Sequence, residues 1–135
     1  MAGKLVTEGI TSLLTWYFEN DQSDRGADAL YLGLYTDATE PVVGSTLSTI
    51  TELALSGYAR IQLLDADWTI VTDTATNLEK TFTATTDWGN VYGSFICNVS
   101  TGTAGELIAV KQFSGAPFNV LDTKTVAVTP TMVGV

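Results

Sequence analysis

The sequence predicts a mainly β fold: an antiparallel β-sandwich or jelly-roll-like domain with one amphipathic helix at its N-terminal end. Three observations lead there. Thr, Val and Gly are abundant while Lys and Arg together supply only 6 of 135 residues, a balance that favours strands joined by turns over helices. Short runs of alternating apolar and polar residues recur along the chain, each bounded by Gly, Pro, Asn, Asp or Ser. Only one segment, residues 5–18, carries its apolar residues at helical spacing.

In that segment Val6, Ile10, Leu13, Leu14 and Tyr17 form one stripe, and Gly9 weakens the helix by about 1 kcal/mol relative to alanine. The polar run Glu19-Asn20-Asp21-Gln22-Ser23-Asp24-Arg25-Gly26 ends it. The expected helix covers about 4–19 and packs on a sheet. Its polar face is too poor in basic residues to lie on anionic lipid. Period two begins at residue 29: Leu30, Leu32 and Leu34 face one way, Tyr31, Gly33 and Tyr35 the other. Residues 37–56 mix Pro41, Gly44, Ser and Thr, which predicts a surface excursion able to carry partner contacts. Alternation returns at 57–63, with Ala59, Ile61 and Leu63 expected inward and Tyr58, Arg60 and Gln62 on the opposite face.

Trp68-Thr69-Ile70-Val71 predicts another strand, and residues 73–77 a turn-rich link. Leu78, Lys80 and Phe82 then alternate with Glu79, Thr81 and Thr83. The stretch Thr85-Thr86-Asp87-Trp88-Gly89-Asn90-Val91-Tyr92-Gly93-Ser94-Phe95-Ile96 joins a tight Trp-Gly corner to an apolar strand, and the rest of the chain is organised around it. Residues 91–99 and 106–113 should pair as a hairpin across a Gly-rich turn. Val126 and Val128 share a face near the end, and Pro130 confines the residues after it to an edge strand or tail. The apolar end, residues 132–135, is free to finish the sheet or reach a neighbouring chain.

The length of 135 residues fits a single domain, 1–135, with the helix followed by a β domain over about 28–135, and such a chain buries about two-thirds of its unfolded surface. The net charge of −9 repels phosphate backbones, so nucleic acid is not an expected partner. No run approaches the ~20 apolar residues of a membrane span, and the polar start, Met1-Ala2-Gly3-Lys4, does not suit a signal peptide. The expectation is a protein made and folded in a cytoplasm, without a membrane partner.

Candidate chemistry is sparse. With no histidine and only Cys97, neither a Ser-His-Asp nor a Cys-His site can be built, nor a multi-cysteine zinc site. Cys97 lies in an apolar run and reads as a small buried hydrophobe. Arg60 invites a reading as a ligand-binding cation; the structural alternative, a stem packed on the Tyr58 ring and a head paired with a carboxylate, is preferred. Asp65-Ala66-Asp67 resembles the start of a calcium loop, but Thr69, Ile70 and Thr76 occupy the remaining key positions, so a turn is expected. Gly102 and Gly105 suggest a phosphate cradle without the lysine or following helix it needs. Trp16, Trp68 and Trp88 could stack on sugar, although tryptophans in β domains are usually core residues. A carboxylate-pair glycosidase needs no histidine, yet no pocket-forming insertion accompanies this chain. No catalytic, cofactor-binding or metal-binding residue is assigned, no cofactor is expected, and the chain reads as a non-enzyme.

The order of signals resembles a family of small tailed-phage virion proteins of the tail-fibre and structural kind. The likeness covers nearly the whole chain and rests on the helix, on Leu30-Tyr31-Leu32-Gly33-Leu34-Tyr35-Thr36, on Gly57-Tyr58-Ala59-Arg60, on Thr83-Ala84-Thr85-Thr86-Asp87-Trp88-Gly89, on the hairpin with a Gly-rich turn that follows and on Thr125-Val126-Ala127-Val128; Gly57-Tyr58-Ala59-Arg60 and Asp87-Trp88-Gly89 carry most of the weight. The chain departs from the pattern at Phe95-Ile96-Cys97-Asn98 and in lacking a glycine run before Gly57. The resemblance implies a virion structural protein, most readily a capsid decoration (cement) protein. Its partners would be the major capsid protein and itself, as a homotrimer on the outer head surface. The alternative it implies is a tail fibre or minor tail protein that binds host glycan.

Overall fold

The computed structural model describes residues 7–19 and 29–134. Residues 7–14 form a short helix, α1 (Thr7–Leu14), which runs into a π-helical turn, Thr15–Glu19. The start of the expected helix and the polar run after it lie outside the described residues. Eleven strands follow among the described residues: β1 (Leu30–Tyr35), β2 (Ile61–Leu63), β3 (Thr69–Val71), β4 (Thr74–Thr76), β5 (Lys80–Thr83), β6 (Gly89–Val91), β7 (Gly93–Cys97), β8 (Leu107–Gln112), β9 (Phe118–Val120), β10 (Thr125–Val128) and β11 (Thr131–Val133). Neighbouring strands pair antiparallel throughout, so the mainly β, antiparallel fold class expected from composition and alternation is the one observed.

The largest sheet has four strands in the order β2-β1-β7-β8. Leu32 sits opposite both Ile61 and Ile96, and Ile96 opposite Ala109, so one face of this sheet is aliphatic from edge to edge. That face meets Phe82, Val126 and Val128 of the β5–β10 pair, Ala75 of β4, and the buried Trp68, Trp88 and Val120, forming one core. The opposite face carries Tyr35, Phe95 and Cys97, and Leu47 and Ile50 from the 37–56 segment cover it. The central sheet is therefore enclosed on both sides, in a sandwich-like arrangement. All five residues of β7 are buried for this reason.

Several expectations need correction. Alternation at 57–63 shortens to β2, and its direction is reversed outside that strand: Ala59 is exposed while Tyr58 and Arg60 turn inward. The cause lies in β1, whose ladder partner β2 stops opposite Leu32; the Leu34 amide then donates to the Tyr58 hydroxyl (2.9 Å) and its carbonyl accepts from Leu53 N–H (3.0 Å). A buried backbone amide needs a partner, and a tyrosine swung inward supplies it. The 37–56 segment is only partly a surface excursion, since Leu47, Ile50 and Leu53 are buried. Residues 74–76 form β4 instead of a link, because Thr72, at φ 56°, makes a tight left-handed turn from β3. Leu78 is exposed, whereas Phe82 alone anchors β5. The C-terminal residues finish a sheet, β11 pairing with β4.

Candidate functional site

The two motifs that mark the chain most strongly, Gly57-Tyr58-Ala59-Arg60 and Asp87-Trp88-Gly89, come together at one end of the central sheet. Gly57 adopts φ +85°, a conformation glycine enters without steric cost, and a Cβ there would run into the Thr85 side chain. Trp88 donates from Nε1 to the Ser56 carbonyl (2.9 Å), and its backbone amide donates to the Val120 carbonyl (2.8 Å). The Tyr58 ring meets Trp88 edge-on, at 6.1 Å between centroids, and stacks on Phe82 at 5.8 Å. Asp87 accepts the Asp122 amide at 2.8 Å, which ties the corner to the turn before β10.

Glu52 is the centre of the polar part. Its Oε1 accepts from the Tyr58 hydroxyl (2.7 Å) and Arg60 Nε (2.9 Å), and its Oε2 from Arg60 Nη2 (2.6 Å). Arg60 further donates Nη1 to the Val99 carbonyl (2.9 Å) and Nη2 to the Gly102 carbonyl (2.8 Å), and its guanidinium lies 5.4 Å from the Phe95 ring centroid. Its side chain is 3% exposed and that of Glu52 27%. Four of the five guanidinium N–H donors are thereby engaged within the protein, on one carboxylate and two carbonyls. The pairing with a carboxylate agrees with the structural reading of Arg60; the aromatic partner is Phe95 instead of Tyr58. Glu52 itself escaped sequence reasoning, since one glutamate in a Thr-rich segment carries no pattern that marks it.

Burial and the hydrogen bond to Glu52 push the Tyr58 hydroxyl well above the usual tyrosine value. Burial raises the Cys97 thiol, and the Glu52 hydrogen bond holds Arg60 in its charged form. Glu52, Tyr58 and Arg60 are thus joined in one hydrogen-bonded network.

The remaining sequence candidates are accounted for by their surroundings. Asp65-Ala66-Asp67 is a short 3-10 turn, and Asp67 pairs with Lys80 at 3.1 Å. In the turn holding Gly102 and Gly105, the Gly102 carbonyl, like that of Val99 just before the turn, accepts from Arg60. Trp68 and Trp88 are each 4% exposed, so neither offers a face to sugar, and the Trp16 side chain lies outside the described part of the structure. Cys97 is buried. Among the described residues no cluster of His, Cys, Asp or Glu could hold a metal ion, and no helix is long and apolar enough to cross a membrane.

The surface does offer two grooves beside β10. The larger, about 570 Å³, runs between β7–β8 and the segment 127–133, lined by Ile96, Ala109, Val128, Pro130 and Met132 with Lys111. The smaller, about 330 Å³, lies between β9 and β10 and includes Phe118 and Lys124. Comparison with known proteins finds no matching family model, no similar curated protein and no similar solved structure.

Proposed function

We propose that this chain is a phage virion structural protein, a capsid decoration protein that binds the outer head surface and stabilises the shell without catalysing a reaction. The observation that carries the reading is the meeting of Gly57-Tyr58-Ala59-Arg60 with Asp87-Trp88-Gly89. The two motifs that carry most of the resemblance interlock, through Tyr58 on Trp88 and through Gly57 on Thr85 just before the corner. A second support is that the polar and aromatic candidates for chemistry are consumed inside the fold, while apolar grooves and an apolar tip face outward. Such a surface suits binding to protein.

Under this reading the mechanism is mass action. A protein that binds only the assembled lattice stabilises it by about 2.7 kcal/mol per site at one hundred times its dissociation constant. Self-association into a trimer would add effective concentration to weak individual contacts. Immunogold electron microscopy of purified virions tests the location. Gold spread over heads is the expected result, and particles lacking the protein should burst earlier under heat or osmotic shock. Gold confined to the tail would replace this reading with the tail-protein alternative, and unlabelled particles would remove the virion assignment.

A further inference from the structure

We propose that the apolar tip at residues 40–44 of one copy docks into the larger groove, between β8 and β10–β11, of a second copy. The proposal takes from the preceding reading only that the chain associates with itself.

The groove is a seam between sheet edges that find no partner among the described residues. β8 ends the four-stranded sheet, β10 pairs only with β5, and β11 ends the sheet β11-β4-β3. Its lining is aliphatic apart from Ser94, Thr129, Thr131, Phe95, Phe113 and Met132, and Lys111 is its only charged residue. Lys111 is exposed and, unlike Arg60 and Lys80, has no ion pair among the described residues. In a chain of net charge −9, a cation without an ion pair among the described residues beside an apolar slot favours an occupant that is apolar and acidic.

The chain carries such a segment. Val42 is 69% exposed and Val43 107%, and Glu40 stands just before them. The tip is held in a fixed shape: Ser45 N–H donates to the Val42 carbonyl (2.9 Å) and Val42 N–H to Ser45 Oγ (3.0 Å), while Pro41 fixes the entry. Two valines held out on an ordered turn lose little conformational entropy on docking. Apolar tip and preceding carboxylate match apolar groove and rim lysine.

Within one copy the tip stands exposed and lines no part of the groove: its segment is anchored by Leu47 and Ile50 on the Tyr35–Phe95 face of the central sheet, while the groove lies at the β8 edge beside Ile96, Ala109 and Val110. Because tip and groove are different patches, the contact is heterologous, and repeated copies close into a ring or extend as a chain.

Sedimentation velocity of the full chain over a concentration series tests the contact. Val43→Asp and Lys111→Glu should each raise the self-dissociation constant at least tenfold, with thermal melts close to those of the parent protein because both side chains are exposed. Combining Glu40→Lys with Lys111→Glu should recover part of the loss. An equimolar mixture of the Val43→Asp and Lys111→Glu proteins retains one intact tip and one intact groove, so it should form heterodimers and nothing larger. A parent protein that stays monomeric at every concentration, or an oligomer that Val43→Asp leaves unchanged, overturns the proposal. Neither result depends on where gold falls on a virion, so failure here is separable from failure of the virion assignment.

Discussion

Two tyrosines beside the central sheet face opposite circumstances, and they should respond oppositely to the same change. The Tyr58 hydroxyl donates to Glu52 and accepts from the Leu34 amide, whereas the buried Tyr35 hydroxyl has no hydrogen-bond partner among the described residues. Tyr58→Phe leaves an amide and a carboxylate short of a partner and should cost about 1–3 kcal/mol, while Tyr35→Phe removes an unsatisfied group and should be neutral or slightly stabilising. Urea unfolding of both variants checks the contrast, and equal losses would sink it. Burial first, then Glu40 and Asp37, push Tyr35 up to about 12, and burial with the Glu52 bond raises Tyr58 as well. Unfolded tyrosines release their protons near pH 10, so above that point the unfolded chain binds fewer protons than the native one. Stability is thus complete below about pH 10 and falls as pH rises toward about 12. Denaturation midpoints measured from about pH 8 to about pH 11 should decline, and less steeply in Tyr35→Phe. Removing the Glu52 charge by Glu52→Gln leaves the Arg60 guanidinium enclosed with only carbonyls and should cost about 2–4 kcal/mol, somewhat below a fully buried pair because Glu52 is partly exposed. A double-mutant cycle with Arg60→Met would read the coupling directly, and a cycle energy near zero would contradict it.

At the scale of elements, the 37–56 segment behaves as part of the core despite its turn-rich composition. Its Leu47 and Ile50 cover Tyr35, Phe95 and Cys97, and residues 51–53 extend the ladder beside β1 through Thr36 N–H to Thr51 O (2.8 Å) and Leu53 N–H to Leu34 O (3.0 Å). Leu47→Ala should therefore cost about 2–4 kcal/mol, as at any packed leucine, while Val43→Asp a few residues away stays within about 0.5 kcal/mol. If the two substitutions matched in a thermal melt, the segment would be surface throughout. This contrast also marks what sequence could yield. The Leu30-Leu32-Leu34 face, the Val126–Val128 face and the hairpin of β7 with β8 were legible because burial on one side imposes a period of two. The inward turn of Tyr58 and Arg60 was not, because it answers the unpaired Leu34 amide, a need created by strand pairing at a distance. β4 hid for a related reason: Thr74-Ala75-Thr76 has the composition of a loop, and only its pairing with β3 and β11 makes it a strand. The grooves were equally invisible, since they lie between strands far apart in the chain.

The whole molecule is acidic, and its acidity works against its compactness. Fifteen carboxylates oppose six basic residues, and two of the basic side chains, Arg60 and Lys80, are committed to internal pairs. The remaining surface is a field of like charges, whose mutual repulsion the folded state concentrates and the unfolded state relaxes. Added salt screens exposed charges beyond about 10 Å at 0.1 M but acts weakly on the enclosed Glu52–Arg60 pair. Repulsion should therefore be lost while the main attractive pair is kept, and the melting temperature should rise with sodium chloride. A gain of about 1 kcal/mol corresponds to roughly 3–6 °C in a domain of this size. Two copies of net charge −9 also repel one another, so salt relieves repulsion between copies while it screens the proposed Glu40–Lys111 contact, and salt should favour self-association less in the parent protein than in Lys111→Glu. A melting temperature that falls with salt would mean that exposed attractive pairs outweigh the net charge.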